Sequence, residues 1–188
     1  MKLRSTLAAL VAALASGLCL CACATADAPS LTEIEAFRAY PVYYSGDSVD
    51  GHSLREVLGE PDQFEDKRDT AWILIYGKCE DPPDEGGCPY PLQIHDYSTC
   101  ARWADQLHRN PRRMFDFRGA KAIRLFQGGG AAWEIFTGRT TVTISATDRD
   151  ILHSAARALR LVHREHPSPL PPPVPGSLEG ELPCQDRS

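Results

Sequence analysis

Cysteine is the residue with the widest choice of chemistry in this chain, which contains seven of them. Three cysteines lie within the first 23 residues, and the other four are spread through the rest of the sequence at positions Cys79, Cys88, Cys100 and Cys184. A thiol can accept a lipid, form a disulfide, bind a metal or act as a nucleophile, and the cellular compartment decides among these roles. The N-terminal segment therefore determines how the other cysteines are interpreted.

The N-terminal residues have the order of an export signal. Two basic residues precede an apolar run over Leu7–Leu20, which leads into the tetrad LCAC ending at Cys23. This tetrad resembles the bacterial lipobox, in which the cysteine is diacylated and becomes the mature N-terminus. A small residue precedes Cys23, whereas leucine precedes both Cys19 and Cys21. We therefore predict a lipoprotein signal peptide over residues 1–23, with Cys23 as the lipidation site.

Two alternatives for the N-terminus stay open. The A-x-A sequence Ala24–Ala26 is a possible cleavage site that would release a secreted protein. Residues 7–26 are uncharged and just long enough to span a bilayer, which needs about 20 residues. All three interpretations place the remaining chain outside the cytoplasm.

The mature chain is predicted to be acidic. Loss of Lys2 and Arg4 from the 20 basic side chains leaves 18 of them against 25 acidic ones. Proteins that bind nucleic acids carry an excess of positive charge, so we expect no nucleic-acid partner. One group of arginines, interrupted by a proline, is predicted to be solvated surface: Arg109, Arg112, Arg113 and Arg118.

The four cysteines beyond the signal are an even number, which favours disulfides in an exported chain. Our preferred pairs are Cys79 with Cys88, which would close a loop rich in proline and glycine, and Cys100 with Cys184. The alternative is a metal site made of Cys79, Cys88, His95 and Cys100. No pair in that set has the close spacing of a zinc knuckle. We therefore expect no metal and no cofactor.

Hydrophobic patterning predicts one α+β domain over residues 24–166. The apolar run Ala71–Tyr76 is typical of a central strand that is buried on both faces. Alternation from residue 121 onward, broken at Gly128–Gly130 and at Gly138, predicts three antiparallel strands. A helical period then runs from Ile151 to Val162. The predicted fold is an antiparallel sheet (a meander) with a C-terminal helix packed on one face and a disulfide-stapled loop.

Three predictions concern smaller segments. Ser53–Leu58 is predicted to form a short helix or turn. His153, His163 and His166 are predicted to share the C-terminal helix, the last two as cations at its C-terminal end. Residues 167–188 are dominated by proline and are predicted to form a polyproline II or disordered tail outside the core.

Three segments resemble parts of uncharacterised exported or lipid-anchored proteins of actinobacteria: AYPVYYSGDSVDG, LIYGKCEDPPDEGGCPYPLQIHDYSTCAR and FTGRTTVTISATDRDILHSAARALR. The resemblance covers the chain from Tyr40 to about Val162. It implies a location outside the cytoplasm and a disulfide loop, and it implies no catalytic residue.

The sequence as a whole predicts a lipid-anchored binding or interaction module of the cell envelope, without enzymatic activity and with an unidentified ligand. Its expected partners are the membrane, through the lipid on Cys23, and an envelope ligand or protein. The alternative is a secreted hydrolase that lacks a familiar catalytic motif. Its candidate residues would be Asp47, Asp50 and His52 around Gly51.

Overall fold

An antiparallel sheet of eight strands dominates the structure. The computed structural model describes residues 31–60, 71–79, 89–99, 114–127 and 130–178. Its helices are α1 (Thr32–Ala36) and α2 (Arg149–Ala158). Its strands are β1 (Tyr43–Tyr44), β2 (Ser48–Val49), β3 (His52–Glu60), β4 (Ala71–Tyr76), β5 (Leu92–Ser98), β6 (Met114–Phe117), β7 (Ala120–Gln127), β8 (Gly130–Thr137), β9 (Thr140–Ala146) and β10 (Arg160–Leu161).

The large sheet consists of two meanders joined along their last strands. Its strand order is β2-β3-β4-β5-β9-β8-β7-β6, and every neighbouring pair is antiparallel. The three predicted strands that become β7, β8 and β9 are confirmed, with a turn at Gly138. The strands β1 and β10 form a separate two-stranded sheet. The predicted class, an antiparallel sheet with a C-terminal helix, is therefore confirmed.

β4 is an internal strand that is buried on both faces, as the sequence predicts. Leu74 and Tyr76 are inaccessible to solvent on the face that packs against α2, which we term the helical face. Ile75 points to the opposite face and is also buried. Both faces need apolar residues here, and the run is therefore continuous rather than alternating.

α2 is shorter than the helical period suggests. The Asp148 side chain caps its first turn, and the helix ends at Ala158, where Leu159 turns to an extended conformation. β10 follows at once and pairs with β1. The prediction that His163 and His166 lie on this helix is therefore wrong, because strand pairing replaces the helical conformation from Leu159 onward.

The prediction of a helix or turn at Ser53–Leu58 is also wrong. These residues belong to β3, which pairs with β4 from Leu54 to Glu60. The turn lies before them, at Asp50 and Gly51, whose φ angles of 45° and 82° are those of a tight hairpin turn. The Asp-Gly pair thus forms the hairpin turn that leads into β3.

The first part of the proline-rich segment packs on the domain. Leu170 is 4% exposed and belongs to the main hydrophobic core. Its N–H donates to the carbonyl of Arg118 at 2.7 Å, and the Thr137 hydroxyl donates to the carbonyl of Pro171 at 2.9 Å. The expectation of a tail outside the core is therefore wrong for this part. Residues 179–188 lie outside the described residues.

Candidate functional site

A pocket of about 320 Å³ lies where α2 meets the hairpin of β7 and β8. The start of β8, Gly130–Ala132, forms part of its wall. The residues that line it come from three elements: Arg124 and Leu125 of β7, Trp133 of β8, and Arg149, Leu152 and His153 of α2. We term this site the basic pocket.

Strand register brings Arg124 and Trp133 together. The two residues are direct partners in the β7–β8 ladder, so their side chains share the helical face. The Arg124 guanidinium lies over the ring of Phe115, 5.1 Å from its centroid. The Trp133 ring makes edge contacts with Phe115 and Phe117, at centroid distances of 5.0 and 5.5 Å. This aromatic cluster holds both pocket side chains in place.

α2 contributes one stripe of its surface to the pocket. Arg149, Leu152 and His153 stand at positions i, i+3 and i+4, which lie on one face of a helix. Leu152 is 1% exposed and anchors the stripe in the core. The imidazole of His153 lies against the Trp133 ring, at a centroid distance of 5.1 Å. The helix therefore places a cation, an apolar floor and an imidazole beside the β8 tryptophan.

The basic pocket has an unbalanced positive charge. No acidic side chain is among its described lining residues. Within the described residues, neither the Arg124 nor the Arg149 guanidinium has a hydrogen-bond or ion-pair partner. A guanidinium offers five N–H donors and binds carboxylate or phosphate through two of them at once. The arrangement is suited to binding an anion above an apolar floor.

A groove of about 540 Å³ lies between α1 and the segment that follows α2. Phe37, Tyr40 and Leu161 give it a mainly apolar lining. One guanidinium nitrogen of Arg38 donates to the backbone carbonyls of Glu35 and Phe37, while Arg139 and His163 also line the groove. The groove is larger than the basic pocket, but its lining includes the acidic side chain of Glu35, which the lining of the basic pocket does not match among the described residues.

A polar row crosses the opposite face of the sheet. His95, Thr143 and Glu134 are aligned across β5, β9 and β8. The Tyr97 hydroxyl donates to Glu134 Oε1 at 2.5 Å and lies 3.5 Å from the Thr143 hydroxyl. Glu134 is 3% exposed, so this hydrogen bond offsets part of the cost of burying its carboxyl group. His95 is half-buried and its Nε2 lies 3.2 Å from Gln93 Oε1.

Asp96 is a buried acid on the helical face, and no motif in the sequence marks it. Its side chain is inaccessible to solvent, and burial raises its pKa well above the ordinary value for aspartate. Its Oδ1 accepts the N–H of Tyr43 at 3.1 Å, and its backbone carbonyl accepts the Tyr40 hydroxyl at 3.1 Å. Asp96 therefore connects β5 to the segment that leads into β1.

The residues of the hydrolase alternative form a hairpin. Asp50 and Gly51 make the turn between β2 and β3, and His52 pairs with Val49 in the ladder. Asp47 and Asp50 are exposed. Among the described residues, no hydrogen bond joins the side chains of Asp47, Asp50 and His52. The structure thus gives these residues a role in chain reversal.

Most of the predicted cysteine chemistry falls outside the described residues, where Cys23, Cys88, Cys100 and Cys184 lie. Cys79 is disulfide-bonded, but its partner also lies outside them. The pairing with Cys88, the second disulfide and the lipidation of Cys23 therefore stay predictions. The described ranges contain no group of three or more His, Cys, Asp or Glu side chains that could hold a metal ion.

The sequence contains only part of the information that locates the basic pocket. The spacing of Arg149, Leu152 and His153 is a usable signal, because it places two basic groups beside an apolar residue on one helical face. Alternation presents Arg124 as an ordinary polar residue between two apolar ones. Its pairing with Trp133 depends on strand register, which alternation alone does not fix.

Comparisons with models of protein families, with curated proteins and with solved structures found no match. In the part of the chain that the structure describes, no helix has the length and apolar character needed to cross a membrane.

Proposed function

We propose that this chain is an extracytoplasmic, lipid-anchored binding module whose ligand occupies the basic pocket. The observation that carries the proposal is the convergence of two arginines and a histidine on an apolar floor, where neither guanidinium has a hydrogen-bond or ion-pair partner among the residues that the structure describes. Small-molecule sites combine mostly apolar walls with a few placed polar groups that orient the ligand. The export pattern and the lipobox-like tetrad that ends at Cys23 support the proposed location.

The pocket is held in shape by the fold around it. Trp133 is fixed by two phenylalanine rings, and Leu152 is buried in the core. The two strands that contribute to the pocket are paired from Lys121 to Gln127 and from Gly130 to Phe136. Binding to a preorganised site loses little conformational entropy, and this favours a ligand-binding role.

The hydrolase alternative receives less support from the geometry. Its candidate residues Asp47 and Asp50 are exposed around a hairpin turn rather than gathered in a cavity. Membership of the exported, lipid-anchored actinobacterial group that the sequence resembles is part of the same proposal. That group shares the location that we propose for this chain.

Ligand-detected NMR with a library of small anionic, neutral and cationic aromatic compounds tests the proposal. The purified protein is compared with Ala131→Phe, which places a ring in the pocket wall. The matched control is Leu58→Phe, which adds a ring at a position that is 40% exposed on β3. Thermal unfolding establishes that both variants are folded.

We expect the library to contain compounds that bind the wild type and the Leu58→Phe control but not Ala131→Phe. Equal binding to all three proteins would place the ligand site elsewhere. A library without any binder would argue against a small-molecule binding module.

A further inference from the structure

We infer that the basic pocket binds a small amphiphilic anion, with a carboxylate or phosphate between Arg124 and Arg149 and a planar apolar group against Trp133 and Leu152. This inference rests on the proposed function, because it names the ligand class of the same pocket. It is supported by the lining of the pocket, which combines two arginines with a tryptophan and a leucine.

The anionic group of the ligand is inferred from the N–H donors of the two arginines. Stacking on Phe115 occupies one face of the Arg124 guanidinium and leaves its N–H edges able to donate. Arg149 is exposed at the first position of α2 and has no partner within the described residues. Charge-assisted hydrogen bonds from such groups are roughly twice as strong as neutral ones. An anion would satisfy donors on both sides of the pocket.

The acidic residues that flank Arg149 do not neutralise the site. Asp148 and Asp150 flank Arg149, and both are exposed. The Asp148 carboxylate is engaged in capping, since it accepts the N–H of Asp150 at 2.6 Å. These two carboxylates weaken the field around the helix start, but neither lines the pocket. His153, on the same stripe of α2, adds a further polar group against the tryptophan.

The apolar group of the ligand is inferred from the apolar floor of the pocket and from the volume of the cavity. Trp133 and Leu152 offer a ring and a branched aliphatic side chain next to the guanidiniums. The cavity of about 320 Å³ lies at the lower end of the range of ligand pockets, roughly 300–1,000 Å³. A single ring with a short acidic substituent fits this volume better than a polymer segment does.

Calorimetric titration of the purified protein tests the inference with four probes. The anionic probes are 3-phenylpropionate and phenyl phosphate. The uncharged counterpart is 3-phenylpropionamide, and propionate lacks the ring. We expect at least one anionic probe to bind roughly tenfold or more tightly than both the amide and propionate. We also expect added salt to weaken binding of the anion and to leave binding of the amide unchanged.

Matched variants locate the interaction. Arg124→Gln and Arg149→Gln should each weaken binding of the anionic probe roughly tenfold and leave the amide unaffected. Arg157→Gln is the control, because Arg157 is exposed on the same helix, does not line the pocket and donates to the Ser154 hydroxyl. Thermal unfolding curves show whether each variant is folded.

Three results would overturn the inference and leave the proposed function intact. In the first, the amide binds as tightly as the anions and the arginine variants change nothing. In the second, propionate binds as tightly as the probes with a ring. In the third, none of the four probes binds while the library finds other compounds that Ala131→Phe excludes, so the ligand class is wrong but the pocket remains the site. If the library finds no binder either, the proposed function fails as well.

Discussion

Burial favours the neutral form of Asp96 inside the sheet. A carboxylate without a counter-ion is costly in an apolar core, and burial therefore raises the pKa of Asp96. The neutral acid still accepts the N–H of Tyr43, and this contact holds β1 against β5. Burial also raises the pKa of Tyr43 and Tyr76, so the phenol groups around this segment stay neutral too. The polar groups in this part of the core thus act through hydrogen bonds rather than charge.

The substitution Asp96→Asn tests whether burial raises the pKa of Asp96. The folded protein holds a proton on Asp96 that the unfolded chain releases above its ordinary pKa of about 4. The stability of the wild type should therefore fall as the pH rises from about 4, until Asp96 ionises in the folded state. Asparagine offers the same acceptor to Tyr43 and does not titrate.

The measurement is the melting temperature of both proteins between about pH 4 and pH 8. We expect Asp96→Asn to gain stability relative to the wild type as the pH rises. Parallel pH profiles for the two proteins would show that Asp96 is ionised in the folded state or is not buried.

At the scale of the secondary-structure elements, one residue connects three parts of the fold. Arg118 lies between β6 and β7 and joins the sheet to the end of α2 and to the proline-rich segment. Its guanidinium donates to the carbonyls of Ala156 and Leu159 at 3.2 and 2.8 Å and also to the carbonyl of Ser168. The carbonyls of Ala156 and Leu159 belong to the end of α2, where backbone acceptors lack the full set of helical partners, and that of Ser168 belongs to the proline-rich segment. The residue adopts a φ of 53°, which is uncommon for a side chain other than glycine, and its contacts compensate for that conformation.

Arg118→Gln should therefore loosen two elements together. We expect a loss of about 2 kcal/mol in the free energy of unfolding, because charge-assisted hydrogen bonds to the helix end disappear. Amide hydrogen exchange should rise around residues 156–160 and 168–174. Arg55→Gln, an exposed change on β3, serves as the control. Faster exchange at only one of the two segments would contradict the role of Arg118 as their common support.

A second prediction at this scale concerns the stability that the buried strand β4 contributes. Leu74→Asp places a carboxylate at a position inaccessible to solvent. The cost is several kcal/mol, comparable with the whole stability of a domain, which is about 5–15 kcal/mol. Leu58→Asp, on the neighbouring strand at a site 40% exposed, should cost no more than about 0.5 kcal/mol. Circular dichroism and urea unfolding distinguish the two outcomes, and a stable Leu74→Asp variant would exclude β4 from the core.

The strands β4, β7, β8 and β9 could be predicted from sequence because their local patterns agree with their burial. The continuous run at Ala71–Tyr76 is apolar because both faces are covered. The end of α2 could not be predicted, because Leu159 to Val162 keep a helical period while β10 pairs with distant β1. The packing of Leu170 likewise depends on a contact with Arg118, about 50 residues earlier in the chain. Such long-range partners decide local structure without leaving a local signal.

At the scale of the whole molecule, the proposed anchor and the pocket make separate contributions. The lipid on Cys23 would restrict the domain to the membrane surface, while the pocket would bind its ligand there. α1 begins at Thr32, nine residues after Cys23. A connection of that length spans at most about 30 Å when fully extended. The proposed function therefore predicts a binding site close to the membrane.

Cys23→Ala tests the anchor directly. We expect the wild type in the membrane fraction, with the mass of a diacylated N-terminal cysteine. The variant should appear as soluble or unprocessed protein, because the tetrad loses its lipid acceptor. Cys21→Ala is the matched control and should leave the membrane fraction unchanged. An unaltered distribution and mass for Cys23→Ala would mean that another segment anchors the protein.

The central claim is that the basic pocket is the ligand site, and chemical-shift mapping tests it over the whole chain. The ¹⁵N-labelled protein is titrated with the tightest binder from the compound library. The amide signals that shift should belong to residues 124–125, 130–133 and 149–153, around the Trp133 ring and the first turns of α2. Shifts confined to the groove beside α1, or to the polar row of Tyr97 and Glu134, would contradict the claim.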